Sequence, residues 1–161
     1  MGFTDGCRFC TLEVHLRLTR LLFVEKAYRR WLTMPLISSE TPAKSILHIC
    51  SRETLRPLRD QILRLSGFEV DSTLSTAEGL TLFWAKQYDL VLIDVEGEDK
   101  VKAAEGLCSE IKTDQPEQVV AFVCNWRVAV MTDCPDEILR TEFDPHRFVS
   151  GVRTILSQNE N

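Results

Sequence analysis

The chain has 161 residues, 44% hydrophobic and 27% charged, with a formal net charge of −5. That fits one globular domain with a full core plus an appendage. No Lys/Arg stripe with interleaved aromatics points to nucleic acid, and Leu21–Val24, the longest apolar cluster near the N-terminus, is far short of a membrane span.

Residues 1–40 carry six Lys/Arg against four acids, a charge of +2 that leaves −7 for the rest. Leu12, Val14, Leu16 and Leu18 alternate like a strand, whereas Leu22 to Trp31 reads as a basic helix, and both assignments stay open. Glu13, Arg17 and Arg20 break any signal-peptide core. Met34-Pro35 and Ser38–Pro42 form a linker, so residues 1–43 are an extension, with Met34 as a second possible start. Cys7-x-x-Cys10 and His15 suggest zinc, but a structural site needs four ligands and no second pair stands at a suitable spacing, so no metal is assigned. The six cysteines (7, 10, 50, 108, 124, 134) are scattered and mostly sit in apolar runs, which predicts reduced, buried thiols in a cytoplasmic protein.

From Lys44 the chain becomes regular. Ser45–Cys50 is a short buried strand, and His48 within it is a core or near-core residue. Glu53 to Ser66 places Leu55, Leu58, Ile62, Leu63 and Leu65 on a helix, with Pro57 in its first turn and Gly67 as its stop. Phe68–Thr73 is a second strand. Ser75-Thr76-Ala77-Glu78 is a capping box for a helix with Leu80, Phe83 and Trp84 on its apolar face. Tyr88–Asp94 shows no apolar/polar alternation, as expected of a strand covered on both faces, and ends on a carboxylate. Open α/β sheets place their ligand crevice at such strand ends. An acidic loop, Glu96–Lys100, leads to a helical period through Val101, Ala104, Leu107, Cys108 and Ile111. Val119–Cys124 is a fourth strand, and Trp126, Val128, Val130 and Met131 leave room for a fourth helix of about two turns. Glu137–Leu139 is a short fifth strand. Asp144-Pro145 opens a last helix through Phe148, Val149, Val152, Ile155 and Leu156, followed by a tail over 157–161. Strand–helix alternation means crossover units on a parallel sheet.

Residues 44–156 resemble a response-regulator receiver domain of two-component signalling. The resemblance rests on Ser45–Cys50 with its following helix and Gly67-Phe68-Glu69-Val70, then Tyr88–Asp94, Val119–Cys124 and Ile138–Phe143. It implies a (βα)5 doubly wound, flavodoxin-like α/β fold, with a five-stranded parallel sheet in the order 2-1-3-4-5. It also implies phosphoryl transfer from a donor histidine to one aspartate, assisted by Mg2+, a lysine and a Ser/Thr hydroxyl.

Carried over by position, Asp94 matches the phospho-acceptor. The paired acids fall on Cys50 and Ser51, the Ser/Thr switch on Cys124, the lysine on Thr141 and its following proline on Glu142. Arg140, one residue before Thr141, points to the other face by strand alternation. Glu53, Glu96 and Glu98 match no ligand of the family. The resemblance therefore implies an atypical, stand-alone member without enzymatic activity. It would act through a protein partner (a histidine kinase, phosphotransfer or output protein), with weak or no phosphorylation and with Mg2+ used only if Asp94 works as acceptor. The alternatives are a functional single-domain regulator phosphorylated on Asp94, and a redox or metal sensor built on Cys50 and Cys124. Strands 1 and 4 are separated by strand 3 in this order, so those two cysteines lie roughly 9–10 Å apart, beyond disulfide reach. The three histidines form no catalytic constellation, and no nucleophile–base pair is apparent.

Overall fold

A computed structural model describes residues 42–159 except 131, 142 and 143. The expectations for residues 1–33, for Cys7, Cys10 and His15, and for Met131 lie outside the described residues. So do those for Glu142 and Phe143.

The elements run β1 (Ser45–Ile49), α1 (Arg56–Leu65), β2 (Glu69–Thr73), α2 (Thr76–Ala85), β3 (Leu90–Val95), α3 (Glu98–Asp114), β4 (Val120–Cys124), β5 (Glu137–Arg140) and α4 (Pro145–Gln158). All strand pairings are parallel and the order is β2-β1-β3-β4-β5, as the resemblance implied. All six residues of β3 are buried, Asp94 included, and the apolar run Leu90–Ile93 lies under helices on both faces.

Two apolar layers sandwich the sheet. Leu47, Ile49, Val91, Ile93, Val120 and Phe122 meet Phe83 of α2 and Ala104, Leu107 and Ile111 of α3. On the other face Ile46, Leu90, Leu92, Ala121 and Val123 meet Leu63 of α1 and Phe148, Val152 and Ile155 of α4. Side-chain alternation along each strand divides the residues between the two layers.

Local chemistry sets the helix ends. At the end of α1, the Gly67 N–H donates to the Arg64 carbonyl and the Phe68 N–H to the Leu63 carbonyl. This is a Schellman closure, and it needs Gly67 at φ +93°. Asp144 caps α4 by accepting from the His146 and Arg147 amides at 3.0 and 3.2 Å. The capping box at α2 is half realised: Ser75 accepts from the Glu78 amide, but the Glu78 carboxylate turns to the Thr73 hydroxyl.

Several expectations need correction. No helix forms among the described residues between β4 and β5, so α4 is the fourth helix among the described residues. Val128 tucks into the core and Val130 packs against it, but Trp126 is 61% exposed. The Val128 and Val130 spacing is two residues, which suits an extended cover better than a helix face. Leu58, Leu65 and Trp84 are also exposed, since α1 and α2 each bury a narrower stripe than their apolar content suggested. The last helix runs through Gln158. Finally, Cys108 and Cys134 are bridged, with Cα atoms 6.2 Å apart, so these two are not the reduced thiols expected. The bridge ties α3 to the helix-free connection.

Candidate functional site

The strands' carboxyl ends gather the positions singled out in the sequence. Asp94 is the penultimate residue of β3, Cys50 and Ser51 follow β1, Cys124 ends β4, and Thr141 follows β5. The Thr141 amide donates to the Cys124 carbonyl at 3.1 Å. Cys50 is fully buried and Ser51 exposed. Arg140 indeed points away: its guanidinium donates to the Val128 carbonyl on the far face at 2.9 Å.

Around Asp94 stands a polar cluster that the sequence did not announce. His48 and Asp94 share the face on which α1 packs, because His48 alternates with Ile46 along β1 and Asp94 with Leu92 along β3. His48 Nε2 donates to Asp94 Oδ2 at 3.3 Å, and Nδ1 donates to Asp60 Oδ1 at 2.6 Å. Ser72 donates to the other Asp60 oxygen. Arg59, the neighbour of Asp60 on α1, sets Nη1 against Asp94 Oδ1 as an ion contact without hydrogen-bond alignment. Its guanidinium also stacks 5.6 Å from the Phe148 ring centroid and stands 3.8 Å from Glu96. Glu96 in turn accepts from Arg52 at 3.0 Å.

The cluster holds two cationic and two anionic groups in near-complete burial, and the side chains of His48 and Asp94 have no exposure at all. Such charges persist in a low-dielectric interior only when paired. Burial alone would lower the His48 imidazole, but its bonds to Asp60 and Asp94 raise it well above its ordinary value of 6.5. Burial likewise pushes Asp60 and Asp94 up, and here the His48 contacts win, joined at Asp94 by Arg59, holding both below the ordinary 3.8. Burial pushes the Cys50 and Cys124 thiols up.

A pH dependence follows. The His48 contribution to stability is complete below its unfolded value near 6.5 and disappears as pH rises through the raised folded value. The Asp60 and Asp94 contributions are complete above about 3.8 and disappear as pH falls through their lowered folded values. Urea midpoints of metal-free protein should therefore be highest between these limits and decline toward alkaline pH.

A cleft of about 270 Å³ opens above the cluster, lined by Arg52, Leu55, Arg59, Glu96, Asn125, Arg127 and Thr141. It lies beside β1 and β3, from which the chain leaves to opposite faces of the sheet, and this is where open α/β sheets bind ligands. The residues do not fit Mg2+. That ion takes hard oxygens in octahedral geometry, whereas Cys50 and Ser51 bring no carboxylate, and Asp94 is left with an imidazole and a thiol as its neighbours. Glu96 is occupied by arginines, and Glu53 and Glu98 are exposed.

Two contacts at this site were not read from the sequence. A cation does reach Asp94, from Arg59 of α1 rather than from the strand-5 position. The sequence held a signal for it, since Arg59 lies midway between Leu55 and Leu63 at helical spacing, in line with two buried residues. Cys50 is grouped with His48 and Asp94 rather than with Cys124, which ends β4 beyond the intervening β3.

No family model and no curated protein matches the sequence. Solved structures do. A CheY-like response regulator receiver domain protein from Methanospirillum hungatei superposes with TM-score 0.61 at 18% identity, covering 74% of this chain and 98% of that one. The response regulator TrrA from Thermotoga maritima, in complex with Mg2+ and BeF, gives 0.59 at 21% identity over 70% and 98%. TrrA in complex with the histidine kinase ThkA gives 0.59 at 22% over the same shares. With the strand order, the two-sided helix cover and Asp94 at the end of the middle strand, these likenesses establish that the described domain has the fold of response-regulator receiver domains.

Proposed function

We propose that this chain is a receiver-like signalling module of a two-component system, working through protein contacts with weak or no phosphorylation of Asp94. The observation that carries this is the burial of the Asp94 side chain, with one oxygen on His48 and the other on Arg59. Phosphoryl transfer to a carboxylate needs an oxygen in line with the donor and neutralising charge around the phosphoryl group. Here the oxygens are engaged internally, and Cys50, Ser51 and Thr141 stand where the two acids and the lysine would be.

The partner class is a histidine kinase, phosphotransfer protein or output protein, and TrrA is known bound to a histidine kinase. Leu58 and Leu65, seven residues apart on α1 and 52% and 80% exposed, offer such a partner an apolar strip. No helix among the described residues is long and apolar enough to cross a membrane. We place the protein in the cytoplasm and assign it no enzymatic activity of its own.

Incubation with acetyl phosphate and Mg2+ should give no mass increment at Asp94, and Asp94→Asn should leave partner binding unchanged. One observation favours a working acceptor: Arg59 brings to Asp94 a positive charge that the lysine position does not supply. A phosphate mapped to Asp94 by mass spectrometry would promote that reading and retire the first.

A further inference from the structure

Beyond any signalling role, the cluster under the cleft has the composition of a transition-metal site. His48, Cys50 and Asp94 are all buried, and one donor atom from each lies within 4.8 Å of the others. Donors around a tetrahedral Zn2+ stand roughly 3.3–3.8 Å apart, given ion–ligand bonds of about 2.0–2.3 Å. The His48–Asp94 edge is already 3.3 Å, so Cys50 has about an ångström to move.

The surroundings are those of a metal ligand set. Asp60 holds His48 Nδ1 at 2.6 Å, fixing the ring so that Nε2 faces Cys50 and Asp94. Carboxylates that orient ligating histidines in this way raise ligand basicity and fix the tautomer. Arg59 contacts Asp94 Oδ1, leaving Oδ2, the oxygen facing His48, for an ion. Charge balances as well. Binding displaces the His48 Nε2 proton and the Cys50 thiol proton to solvent, after which a dication, the Cys50 thiolate, the Asp60 and Asp94 carboxylates and the Arg59 guanidinium sum to zero, as buried charge requires. One thiolate, one imidazole and one carboxylate select a borderline-soft ion over Mg2+.

We infer that His48, Cys50 and Asp94 form a Zn2+ site, oriented by Asp60, with water in the fourth position. It shares Asp94 with the acceptor position, but the thiolate and the imidazole play no part in phosphorylation, so cobalt binding and a phosphate at Asp94 report on the two readings separately. Arg59 lines both the cleft and the Asp94 contact, so an ion enters past its guanidinium.

The test uses the full chain carrying Cys7→Ser and Cys10→Ser, which removes the N-terminal thiols, kept free of reductant so that Cys108 and Cys134 stay bridged. One equivalent of Co2+ should produce a near-ultraviolet thiolate-to-cobalt band and tetrahedral visible bands, both displaced by Zn2+. Cys124→Ser should keep them and Cys50→Ser should lose them. Asp60→Asn should weaken Zn2+ binding by roughly 10–100-fold. A measurement that needs no change at the site is the rate of alkylation through local opening, followed over hours and mapped by mass spectrometry, where Zn2+ should slow Cys50 well beyond Cys124. Absence of the thiolate band in the starting protein, its survival in Cys50→Ser, or equal Cys50 alkylation with and without Zn2+ would overturn the site.

Discussion

Asp94→Ala should lower the unfolding free energy by about 3–5 kcal/mol, the range expected when one partner of a buried ion pair is removed and the other is left uncompensated. Two cations lose a partner at once. Of their anionic partners, Arg59 keeps Glu96 at 3.8 Å and His48 keeps Asp60. The urea midpoint should fall with an unchanged slope, since the surface exposed on unfolding hardly differs. The alkaline decline in stability should flatten too, because one of the contacts that raise His48 is gone. Asp94→Asn, which keeps the side-chain shape and one acceptor oxygen, should cost less than the alanine. A loss below about 1 kcal/mol, the scale of surface pairs, would mean that water reaches the cluster in solution.

Phe122→Ala should cost a similar amount, about 3–5 kcal/mol, through a different mechanism. Phe122 is fully buried in β4, in register with Ile93 of β3 on one side and Ile138 of β5 on the other. Among the described residues, the helix-free connection covers this layer through Val128, Val130 and Cys134. That cover is bridged to α3, so it has little freedom to settle into the space vacated by the ring. The alanine variant should keep the wild-type pH dependence, because Phe122 lies on the opposite face from His48 and Asp94. Urea titrations of both variants at two pH values would separate the mechanisms, and a pH profile altered in Phe122→Ala would show the two faces to be coupled.

What was legible in the sequence was what each segment states about itself. Leu90–Ile93 is apolar at every position, so it declared a strand covered on both faces. Gly67 and Asp144-Pro145 declared a helix end and a helix start, and the structure uses them as such. The polar cluster depends instead on side chains far apart in the chain. His48 and Asp60 are 12 residues apart and His48 and Asp94 are 46 apart, and they meet only once β1, β3 and α1 are in place. Two signals pointed that way: a histidine inside an apolar strand has to find a partner, and Arg59 falls in line with Leu55 and Leu63. The connection after β4 failed for a related reason. Trp126, Val128, Val130 and Met131 are apolar enough for a helix, but local content cannot reveal the Cys108–Cys134 bridge that fastens this segment in another form.

The His48–Asp94 bond also bears on how β1 and β3 align. Ile46, Leu47 and Ile49 face Leu90, Val91 and Ile93, and both sides of this pair are apolar. A slip of one residue would still put hydrocarbon against hydrocarbon above and below the sheet. In most strands the choice between a wet face and a dry one forbids such a slip, but here both faces are dry. His48 and Asp94 break the degeneracy. Sliding β1 by a single position would turn the imidazole toward α2 and α3, away from the carboxylates of Asp60 and Asp94, and leave charge stranded in oil. One alignment satisfies both groups, so at the centre of the sheet a few polar atoms act as a key for two otherwise interchangeable strands.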